Sequence, residues 1–124
     1  MRVAREEYDA AAKAAADFFE AVAKKDRSIC KDSFLEGAVL YGATDGKLNI
    51  GTYENLLNQV DNSLAGPEFN YRVDVIAIEE TIAVVQVLEN NYNGNYYTVY
   101  CTEIKIDGKW KIGSFIYNQN QHPY

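Results

Sequence analysis

The chain has 124 residues and a formal charge of −6, with 48% hydrophobic and 13% aromatic residues. That length suits one domain able to bury its own core, and the composition argues against a disordered chain. An acidic balance without a basic stripe argues against a nucleic-acid partner, and no apolar stretch reaches the roughly 18 residues that a membrane span needs.

The first nine residues are charged and carry no apolar signal core, so a cytoplasmic protein is expected. Cys30 and Cys101 lie far apart without metal-type spacing, which predicts two reduced, buried thiols. No His/Cys/Asp cluster or Gly-rich phosphate loop is evident, so neither a metal nor a cofactor is expected.

Residues 6–25 predict a helix, because Tyr8, Ala11, Ala12, Ala15, Phe18, Phe19 and Val22 recur at three- and four-residue intervals. Asp26 can cap a short second helix over residues 27–34, with Ile29, Cys30 and Phe34 facing inward and Gly37 ending the unit. Residues 38–41 read as a strand, Asp45-Gly46 as a turn and residues 48–50 as a short return. Thr52 is then placed to cap a third helix over residues 53–62, whose Leu56, Leu57 and Val60 share a face. Gly66-Pro67 ends that helix and launches four long antiparallel strands. Helices segregated from a contiguous meander predict an α+β fold over residues 1–124.

Asn93-Gly94 and Asp107-Gly108 are strong hairpin signals, because both central residues of a type I′ turn need positive φ. Two-residue turns there, with a further turn at Glu79-Glu80, sort the strands onto two faces. The face expected under the helices carries Tyr71, Gln86, Cys101, Glu103, Trp110, Ser114 and Asn118, and these are the candidate ligand-binding residues. The opposite face carries Val85, Val87, Tyr100, Thr102, Phe115 and Tyr117. It is too apolar for a solvated surface, so a homodimer packed sheet to sheet is expected.

The chain resembles the nuclear transport factor 2-like superfamily, which includes ketosteroid isomerases and SnoaL-like polyketide cyclases. The resemblance is carried by Val22-Ala23-Lys24-Lys25-Asp26 at the end of the first helix, by Phe34 before Gly37-Ala38, and by Asp107-Gly108-Lys109-Trp110-Lys111-Ile112. Within the superfamily it is most similar to the group named for lumazine binding. The resemblance implies a cone: a curved antiparallel sheet wrapped around the long first helix, with helices on its concave face and a pocket between them. It also implies polar groups pointing inward from the last strand, here at Ser114 and Asn118.

Glu103 is the one clear carboxylate on the expected inner face, and burial there would raise its pKa into the range of a general acid or base. Gln86, Ser114 and Asn118 could orient a ligand by hydrogen bonds, while Tyr71 and Trp110 could stack on a ring. The inward His or Asp of the cyclases has no counterpart, since the sole histidine, His122, lies in the tail. The first expectation is therefore a non-catalytic pocket for an apolar, aromatic or heterocyclic small molecule. The alternatives are an isomerase, dehydratase or cyclase using Glu103, and a protein-interaction module using the outer sheet face.

Overall fold

The computed structural model describes residues 2–123. Helix α1 spans Arg5–Lys24, and its one apolar stripe buries Ala11, Ala14, Ala15, Phe18, Phe19, Ala21 and Val22. The small alanines let the helix approach the sheet closely, and the two phenylalanines fill the space beyond. Lys25 adopts a left-handed conformation (φ 55°), which stops the helix. Asp26 then accepts from the Ser28 backbone N–H at 3.0 Å and caps a single 3₁₀ turn, Arg27–Cys30.

The expected second helix goes no further. Phe34 begins strand β1 (Phe34–Thr44), which starts four residues before the strand read from sequence. Strand β2 (Lys47–Thr52) and helix α2 (Tyr53–Asp61) follow, the latter burying Leu56, Leu57 and Val60. The Asn55 side chain accepts from the Thr52 backbone N–H at 2.8 Å, fixing the entry to α2. Strands β3 (Ala65–Ile78), β4 (Ile82–Tyr92), β5 (Asn95–Ile106) and β6 (Lys109–Asn120) form the expected meander.

All six strands form one sheet in the order β2-β1-β6-β5-β4-β3. Every neighbouring pair is antiparallel except β1 with β6, which is parallel. Three Asx-Gly pairs (Asp45-Gly46, Asn93-Gly94 and Asp107-Gly108) turn with positive φ at both residues, as type I′ requires. The first two turns lie at one end of the sheet and Asp107-Gly108 lies at the other.

Irregularities interrupt the register of β3–β4, β4–β5, β5–β6 and β1–β6. Each extra residue bends its strand and increases its twist, so the sheet curves around α1. The concave side and the helices share one core, where Phe18 packs edge-on against Phe19, Phe34 and Phe115. Burying each ring contributes about 1.5–3 kcal/mol.

Two of these irregularities overturn part of the expected face assignment. Near the Asp107-Gly108 turn the pairing is as read, with Lys105 opposite Trp110 and Glu103 opposite Ile112. Gly113 is then an extra residue, so Thr102 meets Ser114 and Cys101 meets Phe115. Beyond it, every side chain of β6 changes face. In β4, Asn90-Asn91 opposes the single residue Tyr96, with Asn91 at φ 61°, and Gln86 therefore meets Tyr100 instead of Cys101.

Gln86, Ser114 and Asn118 consequently lie on the convex face. The Gln86 amide donates to the Tyr100 hydroxyl at 3.1 Å, the Ser114 and Thr102 hydroxyls bond each other, and Asn118 is exposed. Val85, Val87, Phe115 and Tyr117, expected on the outer face, instead point beneath the helices, the two valines with no exposed surface. Tyr100 and Thr102 remain outward and exposed.

Candidate functional site

The concave face carries two buried carboxylates, one toward each end. Glu103 pairs across the sheet with Ala83 and Ile112, is 3% exposed, and neither of its oxygens has a hydrogen-bond partner. Glu89 is 9% exposed and lies in register between Tyr71 and Tyr97. No hydrogen bond or ion pair reaches its carboxyl from the described residues. Burial alone raises the pKa of each to about 8, because the charged form loses its water and gains nothing in return.

Their surroundings differ. Glu89 borders a cavity of about 290 Å³ at the sheet end that carries Asp45-Gly46 and Asn93-Gly94. Phe18 and Val22 from α1, Leu64, Tyr92 and Phe115 give it apolar walls, while Tyr97, Tyr117, Thr44 and Asn49 bring polar tips. Asp45, Asn93 and Asn95 lie at its mouth. This volume is at the small end of ligand sites, which run from roughly 300 to 1,000 Å³.

Local backbone geometry places these groups. The Asn90-Asn91 bulge turns Glu89 inward, and the Gly113 bulge does the same for Phe115 and Tyr117. The Tyr117 ring lies directly over Gly42, where a Cβ would meet it at 2.2 Å, so only glycine allows the ring its place. The Tyr117 hydroxyl then accepts from Asn49 Nδ2 at 3.0 Å and bonds Thr44 Oγ1 at 3.3 Å. Gln119 ties the mouth together, accepting from the Asp45 backbone N–H at 2.7 Å and donating to Asn95 Oδ1 at 3.3 Å. Burial raises the pKa of the Tyr97 phenol, opposed by the nearby Thr44 hydroxyl and reinforced by the charge of Glu89.

Of the residues expected to bind ligand, Tyr71, Cys101, Glu103 and Trp110 lie on the concave face, yet none of the four lines this cavity. The Tyr71 hydroxyl donates to Glu20 Oε1 at 2.9 Å; burial and then that bond push its pKa to about 12. The Trp110 indole N–H donates to Glu7 Oε1 at 3.2 Å, and Lys105 also bonds that carboxylate, closing the far end of the cone. Cys101 is fully buried between the two ends, and burial holds its thiol well above the ordinary range. Glu103 also borders a shallower apolar groove of about 360 Å³ beside the β3–β4 hairpin and Gly113, but its carboxyl oxygens are shielded from solvent.

Sequence reading missed Glu89, Tyr97 and Asn49. A signal for each of the first two was present: Asn90-Asn91 inside a strand pattern, like Gly113, is the residue type that marks a bulge beside Glu89, and Tyr97 shares the parity of Cys101 and Glu103 on β5.

The "Putative lumazine-binding" family matches residues 6–118. The chain belongs to this family. Among curated proteins, Aldolase FrzH from Cladobotryum sp. is 35% identical over 113 residues, covering 90% of each chain. Among solved structures, an NTF2-like protein of unknown function from Shewanella baltica OS155 is 26% identical, with a TM-score of 0.85 over 97% of this chain and 98% of that one. A ketosteroid isomerase-like protein from Erwinia carotovora atroseptica is 17% identical, with a TM-score of 0.69 over 96% of this chain and the whole of the other. The second likeness concerns the fold alone. The family is thus part of the NTF2-like superfamily, and its α+β cone is the architecture seen here. Among the described residues, no helix is long and apolar enough to cross a membrane, and no three His, Cys, Asp or Glu side chains converge to hold a metal ion.

Proposed function

We propose that the protein binds a small carbonyl compound in the cavity at Glu89 and carries out acid–base chemistry on it, with aldol carbon–carbon chemistry the leading case. One observation carries this reading: an unpaired carboxyl, nine-tenths buried, borders a cavity walled by aromatic rings and phenols. A pKa of about 8 lets that group both take and return a proton near neutral pH. In its carboxylate form, Glu89 removes a proton from the carbon next to the substrate carbonyl. The electron pair moves onto the carbonyl oxygen, toward which a phenol such as Tyr97 or Tyr117 donates. The resulting enolate attacks a second carbonyl carbon, and the new alkoxide takes its proton back from the acid form of Glu89. The cavity lining contains no lysine, so this route needs no Schiff base. The similarity to Aldolase FrzH supports the choice of aldol chemistry.

The test is deuterium exchange at the α-carbon of 4-phenyl-2-butanone in D₂O, followed by NMR. Exchange above the buffer rate is expected, falling about 10²–10⁴-fold in Glu89→Gln. Exchange that survives that substitution, or never exceeds buffer, leaves the cavity as a binding site without this chemistry.

We infer in addition that two copies pair through their convex faces. Ile50, Tyr41, Ile116 and Tyr100 form one transverse row across β2, β1, β6 and β5, each at least 40% exposed. An apolar row of this kind suits a self-complementary, two-fold contact. Sedimentation should give a dimer for the native chain and a folded monomer for Ile116→Lys; a monomeric native chain rejects the pairing.

A further inference from the structure

The cavity at Glu89 has a marked charge bias. Among the described residues, its lining contains two carboxyl groups, Glu89 and Asp45, and no Lys, Arg or His. The basic side chains nearest in sequence to the lining (Lys24, Lys25 and Lys47) are exposed and outside it, and Lys24 is engaged by Glu20 at 3.0 Å. Among the described residues, no ion pair reaches either cavity carboxylate. Asp45 Oδ1 accepts only from the neutral amide of Gln119, at 3.3 Å.

The apolar wall adds to the bias. Tyr92, Tyr97, Tyr117, Phe115 and Phe18 follow one another in edge-to-face contacts, with centroids 5.3–6.5 Å apart. Aromatic faces carry negative potential, and rings grouped in this way are the recurring means of holding ammonium groups. A phosphate or carboxylate entering here would meet the Asp45 carboxylate, could only hold Glu89 in its uncharged form, and would find no cation. A neutral compound would gain no charge attraction from the carboxylate at the mouth.

We propose that the cavity selects a ligand bearing a positively charged nitrogen, a protonated or quaternary amine, held by Asp45 at the mouth and the aromatic wall, with Glu89 at the floor. This inference rests on the cavity being the ligand site, and it names the substrate class: an amine-bearing carbonyl compound. It also gives binding a chemical consequence. The groups facing Glu89 are Tyr71 from β3, Tyr97 and Cys101 from β5, Tyr117 from β6, Asp45 from the β1–β2 turn, and the Glu20–Lys24 pair on α1 behind Tyr71. None of them places a cation in the cavity. An incoming cation therefore favours the charged form of Glu89, so binding expels a proton and the substrate itself generates the base.

The experiment uses three probes built on one ring (benzyltrimethylammonium, benzyl alcohol and benzoate), titrated calorimetrically between pH 6 and 8. The ammonium should bind about tenfold more tightly than the alcohol at pH 8, with benzoate weakest. Its affinity should rise up to tenfold per pH unit below 8, with proton release at pH 7 read from buffers of different ionisation enthalpy. Asp45→Asn should shrink the preference with the fold intact, because asparagine suits this left-handed turn position and keeps the Oδ1 acceptor. Asp107→Asn, the same charge change in the same turn type at the opposite end of the sheet, should leave the preference unchanged. Glu89→Gln should abolish the pH dependence. Equal binding of the alcohol, stronger binding of benzoate, or no ammonium binding at millimolar concentration overturns the proposal. If the preference fails while Glu89-dependent exchange of the ketone persists, the acid–base reading stands alone. If the preference holds without exchange, the cavity is an amine-binding site without that chemistry.

Discussion

Glu89 and Glu103 share a sheet face, a pKa of about 8 and a single cause for it, yet one borders a cavity and the other is sealed. The comparison separates a perturbed group from a useful one. Desolvation makes either carboxyl a potential acid or base, but chemistry also requires room for a reacting atom and donors around it. Only the Glu89 end supplies both. At the Glu103 end, the bordering groove is apolar and both carboxyl oxygens are shielded from solvent, with no donor in reach.

The largest effect that could break this contrast is catalytic. Glu89→Gln should lower ketone exchange by about 10²–10⁴-fold, whereas Glu103→Gln should leave it within about twofold. A reversed pattern would move the chemistry to the closed end.

The next effect is on stability, where the two carboxyls should act alike. Its pKa is about 8 when folded and 4.5 ordinarily. Below pH 4.5 it is protonated in both the folded and unfolded chain and costs nothing through ionisation. Between pH 4.5 and 8 the unfolded chain loses the proton first, so stability falls as pH rises and levels off above 8. The ceiling is about 5 kcal/mol per group at about 1.4 kcal/mol per pH unit. Glu103→Met should remove of order 3 kcal/mol of the loss between pH 5 and 8.5, measured by urea denaturation. Glu89→Met should remove a comparable amount, because its pKa is raised to the same value. Equal pH slopes in the native chain and Glu103→Met would show that the sealed carboxyl is compensated.

The closed end was legible in the sequence and the open end was not, for a physical reason. Asp107-Gly108 fixed Glu103 opposite Ile112 and Lys105 opposite Trp110, since pairing counts reliably outward from a type I′ turn. Counting fails at the first bulge, and hydrophobic pattern could not reveal the slip. Both alternations of β5 and β6 are apolar, with Val99 and Cys101 on one parity and Tyr100 beside Ile104 on the other. Without a polar parity there is no cost by which sequence alone can reject the wrong face. The helices were clearer because α1 is apolar on one stripe only. The spacing of Phe34 from Cys30 fits a helix, whereas its backbone pairs with Ile112 in the sheet.

Gly42→Ala should have an intermediate effect confined to the open end. The new Cβ collides with the Tyr117 ring, and the strain of displacing it should cost about 1–3 kcal/mol. The Tyr117 hydroxyl would then leave Asn49 and Thr44, and benzyltrimethylammonium affinity should fall with it. Gly113→Ala makes the control, because a Cβ there meets only Leu35 at 3.5 Å and Thr102 O at 3.9 Å.

The smallest effect should come from Tyr71→Phe. Tyr71 is the cross-strand neighbour of Glu89, so proximity would suggest that its hydroxyl tunes that carboxyl. The hydroxyl instead donates to Glu20 on α1. Removing it should cost about 1 kcal/mol of stability through the lost bond and leave the pH dependence of ammonium binding in place. A shifted profile in Tyr71→Phe would mean that Glu89 is held by its neighbour after all. An unshifted one leaves desolvation at the cavity wall as the sole source of its basicity, and that source is what an incoming cation can reverse.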